Sequence, residues 1–266
     1  MNASSAPDLL TAAEPVFVFG SNRPHGRHGR GAALFAARWC GAQRGVAEGR
    51  TGQSYAIPTK DGHLRTLPIG EVESGVNRFI EYAAANPRTR FEVSRIGCGL
   101  AGYKDADIAP LFERAPDNCT LPYAWERILA NPPPRIIVAG SRSFADYALL
   151  ETSIAWITAN LREFAIVSGT AQGADVMGER YAAEHDLECL RVPANWNRYG
   201  KAAGMMRNQR MSWMASHLIA YWDDESRGTE GMIRMAKADG LKGCVVHFKA
   251  ASAGDYARRK EWIIPL

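Results

Sequence analysis

The chemistry-bearing residues of this chain fall in short polar stretches that each follow an apolar run. The first is GSNRPHGRHGRGAALFAARW, residues 20–39. Gly20, Gly26, Gly29 and Gly31 permit close backbone approach, and Arg23, His25, Arg27, His28 and Arg30 supply donors and charge. A glycine-rich basic loop between a strand and a helix N-terminus suits a phosphate or diphosphate. The same composition also suits a solvated turn. In the second stretch, AIPTKDG, Lys60 sits at the carboxyl end of an apolar run beside a proline-fixed turn, within reach of a ligand. A lysine acts as a nucleophile only where its pKa falls well below about 10 through burial or nearby cations. Arg23, Arg27 and Arg30 could supply such cations. The third stretch, RIGCGLAGYKDADIAPLF, offers Gly97, Gly99 and Gly102 as a second flexible loop before a helix near 107–112. Two such loops can close on one ligand from two sides.

The second half repeats the pattern. Gly140, Ser141 and Arg142 follow one apolar run, and SGTAQGAD at 168–175 follows another. Gly169 and Gly173 let the backbone wrap an anion, and Ser168 and Thr170 can donate hydroxyl hydrogen bonds. One helix N-terminus contributes only about 0.3–1 kcal/mol to an exposed anion, so further groups are needed. Trp196 and Tyr199 offer aromatic faces for a base, or ordinary packing. Arg207 can pair with a phosphate. Gly228 and Thr229 follow a last polar loop.

The elements that must position these residues read as strands at 16–19, 55–57, 91–96, 135–139, 164–167, 218–222 and 245–248. Helices read at 32–39, 72–85, 107–112, 147–161, about 175–185 and 229–238. Continuous apolar runs alternating with helical spacing predict an α/β chain of parallel sheets. Pro132, Pro133 and Pro134 remove three backbone donors and predict a semi-rigid spacer, with Asn131 before them extended. The expected organisation is a flexible lead-in at 1–14, one domain at 15–130, a linker at 131–134 and a second domain at 135–266.

Composition sets bounds. Apolar residues make up 46% and charged residues 23% of 266, as in globular proteins. Residues 1–130 carry 15 Lys and Arg against 13 Asp and Glu, and residues 131–266 carry 17 against 15. That even balance argues against a dedicated nucleic-acid binder. The five cysteines are scattered, with no Cys-x-x-Cys pair, so neither a disulfide framework nor a zinc site is expected. No apolar run approaches the roughly 20 residues of a membrane helix, and the N-terminus lacks a basic, apolar leader. A cytoplasmic, reduced protein is expected.

The first half resembles a macro domain, the ADP-ribose-binding α/β/α sandwich. GSN…HGRGAA resembles its first ligand loop and RIGCGLAGY its diphosphate loop. With AIPTK, the pattern is similar to the branch holding the terminal ADP-ribose protein glycohydrolase and the DarG antitoxin. The resemblance covers roughly 15–125. It implies ligand contacts at Gly20, Ser21, Asn22, His28, Gly29, Gly31, Gly97, Cys98, Gly99, Leu100, Ala101, Gly102 and Tyr103. It also implies a lysine at the anomeric carbon, here Lys60. The glycohydrolase carries a catalytic Asp directly after IGCGL, where this chain has Ala101. A carboxylate for acid–base work is missing there, although Asp61 and Asp105 are near in sequence.

The second half resembles the YspA-type branch of the SLOG superfamily, a Rossmann-like fold related to the LOG phosphoribohydrolases and to DprA. VAGSRSF, VSGTAQGAD, AGMMRN and SRGTEGM match in order over roughly 135–248. The resemblance implies a nucleotide site at Gly140, Ser141, Arg142, Ser168, Gly169, Thr170, Gly173, Asp175, Trp196, Arg207, Asn208, Gly228 and Thr229. LOG enzymes use a Glu in GTxxE, and Met232 stands at that position. A thioether cannot serve as the carboxylate does.

Three functions remain open from sequence. One is a binder that senses or sequesters ADP-ribose or another NAD-derived nucleotide, favoured by Ala101 and Met232. The second is an ADP-ribosyl or nucleotide glycosidic hydrolase using Lys60. The third is a DprA-like DNA-binding protein. The expected ligand is the nucleotide itself, with no further cofactor or metal. The expected partners are that small molecule and a second copy of the chain through the SLOG half, with no membrane.

Overall fold

The computed structural model describes residues 14–23 and 27–248 and the backbone of 259–264. The chain divides into two compact units, with the boundary between Pro132 and Pro133.

The first unit runs β1 (Val16–Asn22), α1 (Gly31–Trp39), β2 (Gly49–Thr51), β3 (Ser54–Lys60), α2 (Ile69–Ala85), β4 (Phe91–Val93), α3 (Asp105–Ile108), a 3₁₀ turn (Ala109–Phe112), β5 (Cys119–Thr120) and α4 (Tyr123–Leu129). The sheet order is β2-β3-β1-β4-β5, parallel except for the β2 edge. The alternation of β1 decides the layering, because successive side chains point to opposite faces. Val16 and Val18 join α2 residues Val72, Val76, Phe79 and Ala83 in one core. Phe17 turns the other way and meets Phe35 of α1, ring centroids 4.7 Å apart. The two helices therefore cover opposite faces of the sheet.

The second unit runs β6 (Arg135–Gly140), α5 (Tyr147–Thr158), β7 (Ala165–Ser168), α6 (Ala174–Glu184), β8 (Cys189–Arg191), α7 (Trp196–Tyr199), α8 (Ala203–Met214), β9 (His217–Trp222), α9 (Arg227–Asp239), β10 (Lys242–His247) and β11 (Arg259–Ile264). Its order is β11-β10-β9-β6-β7-β8, with β11 alone antiparallel. Ile136 and Val138 of β6 pack with α5 and α6, and Ile137 and Ala139 pack with α8 and α9. β6 is thus buried on both faces, which is why it reads as an unbroken apolar run. The chain winds outward from β6 through β7 and β8, then returns to β9 on the other side. The resulting switch point lies between β6 and β9, where open α/β sheets place ligands.

Several expectations need correction. β4 ends at Val93 rather than at 96, and β2, β5, β8 and β11 are strands beyond those expected. The helix expected over 107–112 is a short α-turn from Asp105 followed by a 3₁₀ turn, because Pro110 interrupts the α ladder. α5 ends at Thr158, three residues early, and α8 stands where no helix is expected from spacing. Asn131 is not extended: its φ is +47, a left-handed value that Asn tolerates better than most residues.

Phe79 meets Tyr55 and Phe91 at 5.1 and 5.4 Å between centroids. Phe79→Ala is therefore expected to cost about 3–5 kcal/mol. Urea denaturation should show an earlier transition for the first unit, with the second unit's transition unmoved.

Candidate functional site

In the first unit the three motif stretches meet at the carboxyl edge of the sheet. Asn22 at the end of β1 pairs in register with Lys60 at the end of β3, and Arg23 N donates to Lys60 O at 2.8 Å. A Cβ built on Gly20 would lie 3.6 Å from Gly97 N, so the loop after β4 closes over the end of β1. Thr66 Oγ1 donates to Ala101 O at 2.7 Å, and Lys60 bridges to Thr66. Lys60 is half-buried at the end of β3, beside the central strand β1. Gly97 holds a φ of +75, and a Cβ there would lie 3.2 Å from Ile108 and 3.3 Å from Tyr103, so the position favours glycine. Gly99, Leu100 and Gly102 are exposed on the loop tip, Leu100 by 65%.

Not every expected contact faces outward. His28 is 1% exposed, its Nε2 3.0 Å from Gln43 O and its ring edge-on to Phe19. Burial lowers its pKa, so it is a neutral wedge under the loop. Ser21 is buried and donates to Ala47 O. Tyr103 donates its hydroxyl to Leu67 O. Asn22 is occupied in accepting from Arg27 N at 3.1 Å. Gly29 is exposed, and Gly31 opens α1.

The two carboxylates near Ala101 are both engaged. Asp61 closes its own turn, accepting from His63 N and Arg65 N and pairing with Arg65 Nε at 2.9 Å. Asp105 lies beneath the loop, bonded to Arg95 and to Trp125 Nε1 at 2.7 Å. Burial alone would raise its pKa, but the Arg95 hydrogen bonds and charge, with Trp125, bring it below the usual range. The same pocket pushes the Cys98 thiol up to about 12, through burial first and Asp105 second. Cys98 is therefore a protonated donor, not a nucleophile.

In the second unit the loops after β6, β7 and β9 and the side of α8 converge. Gly173 begins α6 at φ +85, and a Cβ there would lie 2.6 Å from Ser141 O. Arg207 reaches from α8 across Gly169: a Cβ on residue 169 would sit 1.4 Å from its Nη1. Nη1 donates to Asp175 Oδ2 at 2.9 Å, the two side chains being 14% and 3% exposed. Burial raises the Asp175 carboxyl, opposed by Arg207 and by the N–H groups of Ala171 and Gly140. Arg207 Nε is buried and has no hydrogen-bond acceptor among the described residues.

The hydroxyls of Ser168 and Ser141 are both engaged within the protein. Ser168 is buried, donates to Glu179 Oε1 at 2.8 Å and accepts from Thr170 N at 3.0 Å. That bond holds Thr170 at φ +60, an outlier for a β-branched residue. Ser141 Oγ accepts from Asp223 N at 3.2 Å. Asn208 Nδ2 donates to Gly228 O at 3.0 Å, and Thr229 Oγ1 donates to the capping Ser226. Arg142 and Thr170 are exposed, and Trp196 is 54% exposed against buried Tyr199. Met232 is buried in the aliphatic core beneath α9. Sequence reasoning missed Glu179, Asp223 and Ser226, which brace the loops. Only Ser226 carries a signal, as a capping residue just before a helical pattern.

Among the described residues no group of three His, Cys, Asp or Glu could hold a metal ion, and no helix is long and apolar enough to cross a membrane.

Two tests follow from these geometries. Asp105 has a depressed folded pKa, so its contribution is present above the unfolded value of about 3.9 and is lost as pH falls through the folded value. Asp105→Asn should therefore destabilise at pH 7, with the gap to wild type closing toward pH 3 in a series of urea titrations. Gly169→Ala should drive Arg207 off Asp175 and lower the second unit's stability by about 3–5 kcal/mol, the scale for breaking a buried ion pair. An unchanged urea midpoint would contradict the close contact between Arg207 and Gly169.

No curated protein and no solved structure matches the chain. A family model matches residues 134–199, from the start of β6 to the end of α7, and does not reach the first unit. That family is the YspA, cpYpsA-related SLOG family, and the match supports a SLOG domain at the opening of the second unit.

Proposed function

We propose that the protein binds phosphate-bearing nucleotides, with ADP-ribose or a related NAD-derived nucleotide as ligand, and acts as a sensor or sequestering protein. The observation that carries this is Arg207. Its guanidinium lies on the Gly169 backbone, bonded to Asp175, with Nε enclosed and without an acceptor among the described residues. A buried donor left unmatched costs about 1–3 kcal/mol, more when charged, and a phosphate beside the 169–173 turn would supply the missing acceptor on a shift of the Arg207 side chain that opens its Nε. Strain at Thr170 in the same turn, at the switch point of the sheet, fits a ligand-holding segment. The SLOG match adds nucleotide chemistry as the family context. In the first unit, the meeting of Gly20–Asn22, Lys60 and the 97–103 loop supports an ADP-ribose-type pocket.

Hydrolysis is the second reading, with Lys60 acting at the anomeric carbon. The engagement of Asp61 and Asp105 counts against it, because neither carboxylate is released for proton transfer. A DprA-like role in the second unit has no specific observation behind it.

Titration calorimetry of the full chain with ADP-ribose is the test. A dissociation constant near 1 μM, about −8 kcal/mol, is expected for at least one site. Arg207→Ala should remove the site in the second unit, and Lys60→Ala should spare binding while abolishing any release of ribose products. Absence of heat for the wild-type chain would remove ADP-ribose as the ligand.

A further inference from the structure

The even charge balance between the two halves conceals an uneven one inside the first unit. Residues 21–65 hold eight Lys and Arg against two Asp and Glu, and the rest of residues 1–130 hold seven against eleven. The positive excess gathers around α1. Arg30 caps its start, Arg38 lies in its last turn, and both are exposed. The segment after α1 folds back along it, since Gln43 O meets His28 at 3.0 Å. This brings exposed Arg44 close enough to help lower the His28 pKa. Arg27 is exposed and tethered by its own N–H to Asn22 at the end of β1. Arg27, Arg30, Arg38 and Arg44 have no ion-pair partner among the described residues. Arg23, Arg65 and Arg78 are matched to Glu71, Asp61 and Glu48. Acidic Glu73 and Glu81 lie on α2, across the sheet.

We propose that the α1 face binds the phosphate backbone of a polynucleotide. Arg38 in the helix, Arg30 at its N-cap position and Arg27 and Arg44 in the segments on either side, four guanidiniums unpaired among the described residues about a nine-residue helix roughly 13 Å long, match a short run of backbone phosphates. None of the exposed large apolar side chains among the described residues lies between 27 and 50. A protein interface is built on buried aromatic or aliphatic anchors, and a membrane surface needs apolar insertion. Backbone binding needs neither. Binding is independent of base sequence, and because Arg27 is tied to Asn22 the strand passes the carboxyl edge of the first sheet. This surface stands apart from the nucleotide reading above and does not rest on it.

The test is fluorescence anisotropy of the full chain with labelled 20-nucleotide single strands and duplexes of two unrelated sequences. Four neutralised phosphates give a log–log salt slope near −3 for a single strand, about a 50-fold loss of affinity between 50 and 200 mM salt. The triple variant R30Q/R38Q/R44Q should flatten the slope to about −1, with a thermal melt like that of wild type showing that it folds. Equal affinity for the two sequences supports backbone recognition. A slope unchanged in the triple variant, or competition by polyglutamate as effective as unlabelled strand, would overturn the proposal.

Discussion

The contact between Arg207 and Gly169 joins α8 to the turn after β7 in the second unit. A guanidinium can lie on the backbone at 169 only because residue 169 has no side chain. Its hydrogen bond to Asp175 then ties α8 to the start of α6, and Ser168 and Glu179 fix the turn between them. Asp223 joins the same frame through Ser141 from the far side of the switch point. Each brace is a polar group satisfied by a neighbour, as burial requires. The exception is Arg207 Nε, and one unmatched donor in an otherwise closed network is where a ligand has something to offer.

The first unit solves a related problem with a different device. The loop after β4 is held from below by Asp105, which gathers Arg95, Trp125 and Cys98. The loop itself keeps its tip exposed. Rigid support beneath and exposed backbone above is the division of labour expected of a loop that receives a ligand. Lys60 enters from a neighbouring strand end, so its position is fixed by the sheet register rather than by the loop.

Much of this is legible in the sequence, and the reasons differ by element. β1 and β6 announce themselves because both faces of each strand are buried. α2 is legible through its spacing of Val72, Val76, Phe79 and Ala83. β5 and β8 are not, being two and three residues long. α8 escapes because its buried residues include Asn208 and Ser212, whose polar groups bond to Gly228 and Asp239 and break the apolar pattern. The site follows the same logic. Glycines and Arg207 are visible as residue types, but no sequence signal says that Ser168, Ser141 and His28 turn inward. A charge count over halves does not show how α1 and α2 place charge on the two faces of one sheet.

Met232 carries an implication for descent. It is packed among Val245, Met211 and Ile233 in the core beneath α9. A glutamate there would be an unpaired buried acid, held neutral and short of hydrogen-bond partners. A single codon change therefore cannot convert this chain into a carboxylate-dependent glycosidase, since the surrounding apolar layer would have to be remade first.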